Sequence, residues 1–481
     1  MTDMLRRYQT LLQCGVLTLL GLIAFAPSIS FDFVNWDDYA YIHENDLIKS
    51  WSPANLKDVA TEVVTRNYAP VTIFSFLVEH TLWGMNPAGY HATNVLLHLI
   101  NGVLVFLLLR QISGSTFVGW LTAALFLLHP VQIESVVWIS SRKGLLCSLF
   151  MLSALLVRMK PNPMPRDDAW YLGLLALALF SKAHAVVLPP IVLLYDMLIR
   201  RQAFATVMPR HLIPGLMSLL LLMLTMGAQN SVLGGVRQHM SLGLLQIVAI
   251  DVTILWQYIG MLICPINLCV MYDPPTSGIW KQVLVGSLGW AVVAFGLFRI
   301  RRSQPLWILG AFSFLLLLFP MLNFFRITTL MNDRYLYLPS IVVFAMFAGT
   351  IRRTLQFSAH ITEPILEFIS AGIKFGLSAC MIVACMTETS LHLPVWRNAE
   401  SLWTHALSEY PDMPIFRIQM ALALHDQGQT EKALRVMTLA LQNSKPDELD
   451  RERMCQFVAD WRNELSTRSQ IAEGSQQTYA D

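Results

Sequence analysis

The sequence predicts an all-α protein, in which a polytopic membrane helical bundle is followed by a small C-terminal helical unit. Of its 481 residues, 55% are hydrophobic and only 14% are charged, and the mean hydropathy is +0.51. A soluble domain carries roughly a quarter charged residues. Apolar runs recur over residues 1–391, each near the roughly 20 residues that a helix needs to cross hydrocarbon. After residue 392 the pattern changes to that of soluble helices.

About eleven apolar runs are predicted to cross the membrane. Five clusters of basic residues lie between them, and all five face the cytoplasm only if Gln246–Cys264 does not cross completely. We therefore interpret Gln246–Cys264 as a re-entrant or interfacial helix, which places the N-terminus in the cytoplasm and the C-terminus outside. The predicted spans fall at residues 9–29, 92–110, 116–133, 144–159, 169–182, 184–200, 211–229, 282–300, 305–321, 335–351 and 369–391.

Net charge argues against a nucleic-acid-binding protein, and cysteine spacing argues against a disulfide-linked or zinc-binding one. The formal net charge of +2 is too small to indicate a nucleic-acid partner. The seven cysteines are scattered and form no Cys-x-x-Cys motif. The sequence therefore predicts neither a disulfide framework nor a zinc site.

An acidic pair, Asp37 and Asp38, lies in the first polar loop, residues 30–91. The predicted topology places this loop outside, together with the polar stretches 230–281 and 322–334. Adjacent carboxylates at a membrane surface suit a general base that acts on a hydroxyl, or a site for a divalent cation. The alternative is that both acids cap the next short helix and hydrate the loop. If the protein binds a divalent cation, Asp37 and Asp38 would be its ligands.

Two cations, Arg142 and Lys143, follow the third span on the predicted outer face, where the positive-inside rule disfavours them. A lipid phosphate would explain them, because Arg offers a bidentate fork and Lys a point charge. The alternative is an ion pair with Glu134 or with acids of the first loop. Lys182 could join this cationic site, and Arg334 repeats the pattern at another outer boundary, where snorkelling is the alternative.

A stripe of polar residues lies along one face of the second span: His91, Asn94, His98 and Asn101 are spaced 3, 4 and 3 residues apart. In lipid such a stripe must turn inward. We expect His98 and Asn101 to form interhelical hydrogen bonds, whereas His91 and Asn94, at the outer end, stay open as site residues.

The C-terminal segment repeats with a period of 34 residues, which is the tetratricopeptide period. Ala399 and Ala406 are followed 34 residues later by Ala433 and Ala440, and Gly428 supplies the turn between two helices. One and a half repeats are too few to stand alone, so we expect a further capping helix or packing on the membrane domain. The predicted domains are therefore 1–391 in the membrane, 392–466 as tetratricopeptide-like helices, and a flexible tail at 467–481.

Seven short motifs precede these helices in a fixed order. They are Asn35-Trp36-Asp37-Asp38, Asn67-Tyr68-Ala69-Pro70, His91-x-x-Asn94-x-x-x-His98, His129-Pro130-x-x-Glu134-Ser135, Arg142-Lys143, Ser181-Lys182 and Asp333-Arg334-Tyr335-Leu336-Tyr337-Leu338-Pro339-Ser340. As an ordered set they resemble the transmembrane and tetratricopeptide-repeat O-mannosyltransferases and their bacterial relatives. That family is similar to the C-type membrane glycosyltransferases. The similarity spans nearly the whole chain.

The resemblance implies a C-type glycosyltransferase-like fold and a polyprenyl-phosphate sugar as donor. It implies Asp37 or Asp38 as catalytic base, with Arg142 and Lys143 near the donor phosphate. In the family an acidic residue often follows the lysine of the Ser-Lys motif, whereas this chain has Ala183 after Lys182. The resemblance therefore does not by itself assign a role to Lys182. The complete set of candidates adds Lys182 and Arg334 at the phosphate, and His91, Asn94, His129 and Glu134 as other site residues.

The predicted reaction is an inverting transfer of mannose or another hexose to a hydroxyl, with no certain cofactor besides a possible divalent cation. The leading acceptor is protein Ser or Thr, which could dock on the tetratricopeptide helices. The alternatives are glycosylation of an outer-leaflet lipid or glycan, or a non-enzymatic membrane scaffold or transporter whose intramembrane charges line a solute path. The short repeat array favours a bacterial inner membrane, with the active site in the periplasm.

Overall fold

Helices dominate the described part of the chain. The computed structural model describes residues 2–65, 67–232, 242–324, 329–357, 364–443 and 448–477. The first fifteen helices are α1 (Thr2–Phe25), α2 (Pro53–Thr61), α3 (Pro70–Trp83), α4 (Pro87–Ser113), α5 (Thr116–Leu128), α6 (Ile133–Val137), α7 (Arg142–Arg158), α8 (Pro165–Ser181), α9 (Leu188–Leu198), α10 (Phe204–Val232), α11 (Leu244–Ile263), α12 (Trp280–Ile300), α13 (Pro305–Leu318), α14 (Pro339–Phe357) and α15 (Pro364–His392). The C-terminal helices are α16 (Ala399–Glu409), α17 (Pro414–Asp426), α18 (Thr430–Asn443) and α19 (Glu448–Gln477).

The helical bundle is that of a multi-pass membrane protein. Within the described ranges, seven helices are long and apolar enough to cross a membrane: α1, α4, α7, α10, α11, α12 and α15. The bent pair of α5 and α6 adds an eighth if it forms one span. The other predicted spans correspond to α8, α14 and the shorter apolar helices Ala183–Leu198 and Pro305–Met321. The count of about eleven spans stays a prediction.

The segment interpreted as re-entrant is one unbroken helix, α11. It is long and apolar enough to cross the membrane, and it packs along α12, where the Trp256 and Trp290 rings lie 4.7 Å apart. Because a helix satisfies its own backbone hydrogen bonds, it can traverse lipid without a break. The segment is therefore long enough to be a span, and its interpretation as a re-entrant or interfacial helix stays a prediction.

The core forms where α4 packs against α5 and α7. Gly102 permits the close approach of α4 to α5, since a Cβ atom there would lie 2.4 Å from Leu127 Cδ2. On the same face of α4, the ring of His98 contacts the Tyr337 hydroxyl at 2.9 Å. Asn101 donates to the Tyr337 hydroxyl and to the Leu145 carbonyl, each at 3.1 Å. The predicted interhelical hydrogen bonds of His98 and Asn101 are confirmed.

Pro130 interrupts the helical path after α5. It cannot supply the backbone N–H that a continuing helix needs, and the axes of the segments Thr116–Leu128 and Pro130–Val137 differ by 59°. The bend directs α6 and the following turn, Ile139–Ser141, towards the end of the bundle that holds residues 31–43. We call that end of the molecule the loop face.

The C-terminal helices pack in sequence, α17 on α18 and α18 on α19. Ala433 and Ala440 are fully buried, which lets the helices approach closely. Gly428, between α17 and α18, has a φ of +76°, a conformation that glycine adopts without a Cβ clash. These features agree with the predicted helix pairing, and the identification as tetratricopeptide repeats stays a prediction.

Candidate active site

Asp37 lies on the loop face with its carboxylate accessible. Its side chain is 36% exposed, and one carboxylate oxygen lies 4.0 Å from the Lys143 ammonium nitrogen. Lys143, at the first turn of α7, also donates a hydrogen bond of 3.2 Å to the Tyr41 hydroxyl and lies over the Tyr41 ring. The structure therefore joins the acidic loop to the start of α7 through Lys143.

Asp38 is buried, and its carboxylate is occupied by protein donors. It accepts hydrogen bonds from the Val34 N–H at 3.1 Å and from the N–H and hydroxyl of Ser140 at 3.0 and 2.5 Å. Burial raises the pKa of Asp38 to about 7. Asp38 therefore fastens the loop to the turn Ile139–Ser141, and its assignment as a catalytic residue stays a prediction.

The same geometry bears on the possible divalent cation. Because both oxygens of Asp38 accept hydrogen bonds from Val34 and Ser140, the pair does not present two free carboxylates to one ion. No group of three or more His, Cys, Asp or Glu residues that could hold a metal occurs among the described residues. Asp37 alone remains available as an acidic ligand from the pair.

Three of the four predicted phosphate ligands line one small cavity beside Asp37. Lys143, Lys182 and Arg334 come from three separate parts of the chain and surround it together with serine and tyrosine hydroxyls. The Arg334 guanidinium also lies over the Trp138 ring, 5.0 Å from its centre. The structure thus brings these cations together and supplies hydrogen-bond donors beside them.

Arg142 does not face this cavity. Its side chain is fully buried, and its Nη1 and Nη2 atoms donate to Glu79 at 2.6 Å and to the Tyr90 carbonyl at 2.9 Å. Its Nε atom donates to Asn94. Each of these nitrogens donates to protein, so the structure does not bring Arg142 to the cavity, and its contact with the donor phosphate stays a prediction. The alternative of an ion pair with a first-loop acid is confirmed, with Glu79 as the acid.

Asn94 and His91 are packing and positioning residues. Asn94 is fully buried, where it accepts from Arg142 and donates to the Trp138 carbonyl at 3.2 Å. His91 is 2% exposed, and its ring lies edge-on to Phe31 at 6.4 Å. Neither residue lines the cavity, so neither contacts a ligand held there.

His129 and Glu134 have local structural roles. His129 Nδ1 accepts a hydrogen bond of 3.3 Å from the Val131 N–H, so it caps the 3-10 turn that begins at Pro130. Its ring packs on Phe344. Glu134 holds Arg334 through an ion pair with the guanidinium and a 2.8 Å hydrogen bond from the backbone N–H. His129 is therefore withdrawn as a site residue, and Glu134 positions Arg334.

Asp333 lies behind Arg334 and is buried. The Tyr272 hydroxyl donates to it at 2.6 Å, and burial raises the pKa of Asp333 well above its usual range. Through the hydrogen bond from Tyr272, Asp333 anchors the Asp333-Arg334 motif to the segment around Tyr272.

An apolar groove lies next to the cationic cavity. It has a volume of about 400 Å³ and lies among α4, α7, α9, α13 and α14. Leu338 lines both the cavity and the groove. Away from Leu338 the groove reaches Arg352 and Arg353, in the second half of α14. The cationic cavity and the apolar groove are thus neighbours that share Leu338 as a wall residue.

Sequence reasoning missed Glu79, Ser140 and Asn35 as residues that hold the site. Glu79 carried a usable signal, because an acid within the apolar helix α3 requires a buried partner. Ser140 and Asn35 carried none, since a serine or an asparagine in a loop is ordinarily solvated or local. Their partners lie far away in the sequence, and only the packed chain brings them together.

Several proteins resemble this chain in sequence, although no family model matches it. A protein O-mannosyl-transferase of Caenorhabditis elegans is 23% identical over 445 residues, which cover 87% of this chain and 61% of that protein. The protein O-mannosyl-transferase TMTC2 of Mus musculus is 29% identical over 169 residues, 33% of this chain and 20% of that protein. The chain therefore spans less than two thirds of the length of these relatives.

Two solved structures match this chain at low similarity. The oligosaccharyltransferase of Archaeoglobus fulgidus is 11% identical, with a TM-score of 0.46 over 89% of this chain and 59% of that one. ArnT from Cupriavidus metallidurans in the apo state is 13% identical, with a TM-score of 0.42 over 92% of this chain and 81% of that one. The sequence relatives confirm the resemblance indicated by the ordered motifs: this multi-pass membrane protein is similar to the protein O-mannosyl-transferases.

Proposed function

We propose that the protein is an inverting membrane glycosyltransferase, which transfers mannose or another hexose from a polyprenyl phosphate to a hydroxyl of a protein Ser or Thr. The observation that carries the proposal is the position of Asp37. Its accessible carboxylate lies beside a cavity lined by three cations, and an apolar groove shares Leu338 with that cavity. A scaffold has no need for this convergence of acid, cations and apolar channel.

The charge of the cavity supports a monophosphate donor. Lys143, Lys182 and Arg334 line it, whereas Glu134 pairs with Arg334 and Asp37 lies next to Lys143. Three cations against two acids leave one positive charge, which matches the single negative charge of a phosphodiester. A diphosphate-linked sugar would bring a second negative charge that these residues do not balance.

The apolar groove supports a lipid-linked donor. Its lining between α13 and α14 is aliphatic and aromatic, with Leu309, Leu317 and Ile341 among the residues that contact it. An isoprenoid chain could lie there with its phosphate at the end near Leu338. Burial of apolar area contributes about 25 cal/mol per Å², so the groove would favour a long hydrocarbon over a soluble sugar phosphate.

The proposed chemical step is a single displacement. The acceptor oxygen forms a bond to the anomeric carbon as the bond between that carbon and the phosphate oxygen breaks, and the bonding electron pair leaves with the phosphate. Asp37 accepts the hydroxyl proton. An aspartate carboxylate is too weak a base to deprotonate an alcohol in advance, so proton transfer accompanies bond cleavage. Lys143, Lys182 and Arg334 stabilise the charge that develops on the phosphate, and one such contact is commonly worth roughly 3–4 kcal/mol.

Two features support a protein acceptor. The sequence relatives are named protein O-mannosyl-transferases, and the C-terminal helices lie against the loop that carries Asp37. The Trp36 and Trp403 rings, for example, are 5.4 Å apart. A peptide on these helices would have its hydroxyl side chains close to the site. The alternative acceptors, to be tested beside a peptide, are lipids and glycans of the outer leaflet.

The proposed orientation places the loop face outside the cytoplasm. Clusters of basic residues such as Arg158 with Arg200, and Arg352 with Arg353, lie towards the opposite end of the bundle. The positive-inside rule then assigns that end to the cytoplasm, together with the N-terminus. In a bacterial inner membrane, Asp37 and the C-terminal helices would face the periplasm.

The test is donor turnover by the purified full chain in detergent. It is incubated with radiolabelled polyprenyl-phosphate mannose and a Ser/Thr-rich acceptor peptide, with and without a chelator. We expect label to leave the lipid and join the peptide in wild type and in the matched control Asp46→Ala, which alters an exposed acid of the same loop, and to do so about 10²- to 10⁴-fold more slowly in Asp37→Ala. Transfer of label to a lipid or a glycan instead of the peptide would show that the acceptor is not protein. No turnover of mannose, glucose or N-acetylhexosamine donors by folded protein would overturn the proposal and favour a scaffold or transporter.

A further inference from the structure

The loop that carries Asp37 is bound by the C-terminal helices on its N-terminal side. Asn35, two residues before Asp37, accepts a 2.6 Å hydrogen bond from the indole N–H of Trp403 in α16. It also donates at 2.9 Å to the Gln419 carbonyl in α17. Trp403 is fully buried and Asn35 is 5% exposed. These two hydrogen bonds span more than 360 residues of sequence.

Further contacts extend this attachment in both directions along the loop. The Asp32 N–H donates to the Arg397 carbonyl at 2.9 Å. The Trp36 ring, adjacent to Asp37, lies edge-on to Trp403. The C-terminal helices therefore contact the loop before and immediately beside Asp37.

The membrane domain holds the loop on the other side of Asp37. Asp38 accepts from the backbone N–H and hydroxyl of Ser140, which precedes Arg142 and Lys143 on the same turn. Asp37 is thus the residue between two attachments, one to each domain. Its side chain remains partly exposed, whereas Asn35 and Asp38 on either side of it are buried.

We propose that Asn35 and Trp403 are positioning residues for Asp37, so that the C-terminal helices complete the active site in addition to any role in acceptor docking. This inference rests on the proposed role of Asp37 as the base. A shift of about 1 Å in a reacting group can lower a rate roughly 100-fold. Loss of the Asn35 attachment would release the loop on one side of Asp37 and allow such a shift.

The test measures donor turnover in Asn35→Ala and Trp403→Phe with matched controls. Asn55→Ala removes another first-loop amide that donates to two backbone carbonyls. Trp461→Phe changes another buried tryptophan of the C-terminal unit. We expect Asn35→Ala and Trp403→Phe to lower kcat about 10- to 100-fold with KM for the donor nearly unchanged. Both controls should keep a kcat close to that of wild type.

Combination with Asp37→Ala separates positioning from general damage. If Asn35 and Trp403 act through Asp37, adding either substitution to Asp37→Ala should cause little further loss of the residual turnover. If the double variants lost the same factor in kcat as the single variants do, the positioning role would be overturned. It would also be overturned if Asn35→Ala and Trp403→Phe both kept the wild-type kcat while Asp37→Ala had lost most of its turnover. Neither result would affect the base assignment. Wild-type turnover by Asp37→Ala would overturn the base assignment first, and the two failures are thereby distinguishable.

Discussion

The Lys143 ammonium group lies 4.0 Å from a carboxylate oxygen of Asp37, and the two side chains belong to different parts of the fold. Asp37 lies in the loop after α1, whereas Lys143 lies in the first turn of α7. Lys143 also lines the cationic cavity. The pair therefore links an acid that could accept a proton to a site that could hold the leaving phosphate.

Replacement of Asp37 should remove catalysis without removing the fold. Asp37→Asn keeps the shape and the partial exposure of the side chain but cannot take the proton. General base catalysis contributes roughly 10²- to 10⁴-fold, so we expect kcat to fall by about that factor while the unfolding temperature stays close to that of wild type. Donor turnover and thermal unfolding, measured on one preparation, test both parts. Asp46→Asn is the control, and full activity in Asp37→Asn would contradict the assignment.

Replacement of Lys143 should weaken catalysis through the donor phosphate. Lys143→Met preserves much of the apolar stem and removes the charge. Loss of one preorganised electrostatic contact commonly costs about 10²- to 10³-fold in rate, and we expect Lys143→Arg to recover part of it. Lys57→Met, on the surface of α2, serves as the control. If Lys143→Met turned over donor at the wild-type rate, the cavity would not be the phosphate site.

Replacement of either partner of the buried Arg142 and Glu79 pair should destabilise the protein. Both side chains are buried, so Glu79→Gln or Arg142→Met leaves the other charge without its partner. Such a loss typically costs about 3–5 kcal/mol, which thermal unfolding in detergent would report. The double variant Glu79→Leu/Arg142→Met should be more stable than Arg142→Met alone. An Arg142→Met protein with wild-type unfolding temperature but no donor binding would show instead that Arg142 contacts the phosphate.

Asp38 should make stability depend on pH. Burial raises its pKa to about 7, above the value of about 4 expected for an unfolded chain, so protonation favours the folded state. This contribution is fully present below the unfolded-state pKa and is lost as pH rises through about 7. We expect the unfolding temperature of wild type, relative to Asp38→Asn, to be highest at about pH 4, to decline as the pH rises to about 7, and to change little above that. A relative stability that rises with pH would show that the charged carboxylate is favoured.

Local rules of sequence account for several helix boundaries. Ser52 caps α2, with its hydroxyl accepting from the Asn55 N–H at 3.2 Å, and Pro53 occupies the first helical position. Pro130 breaks the helix after α5, and Gly428 adopts the positive φ between α17 and α18. Each of these features depends on a residue and its near neighbours. Their physical causes are therefore present in a short stretch of sequence.

Burial of individual charges could not be predicted in the same way. Asp37 and Asp38 are adjacent and chemically identical, yet the structure exposes one and occupies the other with Val34 and Ser140. Arg142 and Lys143 are adjacent cations, and the helical turn sends one to Glu79 and the other to the cavity. Which neighbour turns inward depends on the direction of the chain relative to distant helices.

The sequence by itself determined the membrane class, the helical composition and the set of candidate side chains, because hydropathy, helix caps and polar stripes act over short distances. Only the tertiary structure decided which candidates share a site. Asn35 contacts Trp403 across more than 360 residues, and Glu134 holds Arg334 across 200. Such pairs form because a buried polar or charged group must find a partner wherever helix packing places one, and that placement is a property of the whole fold.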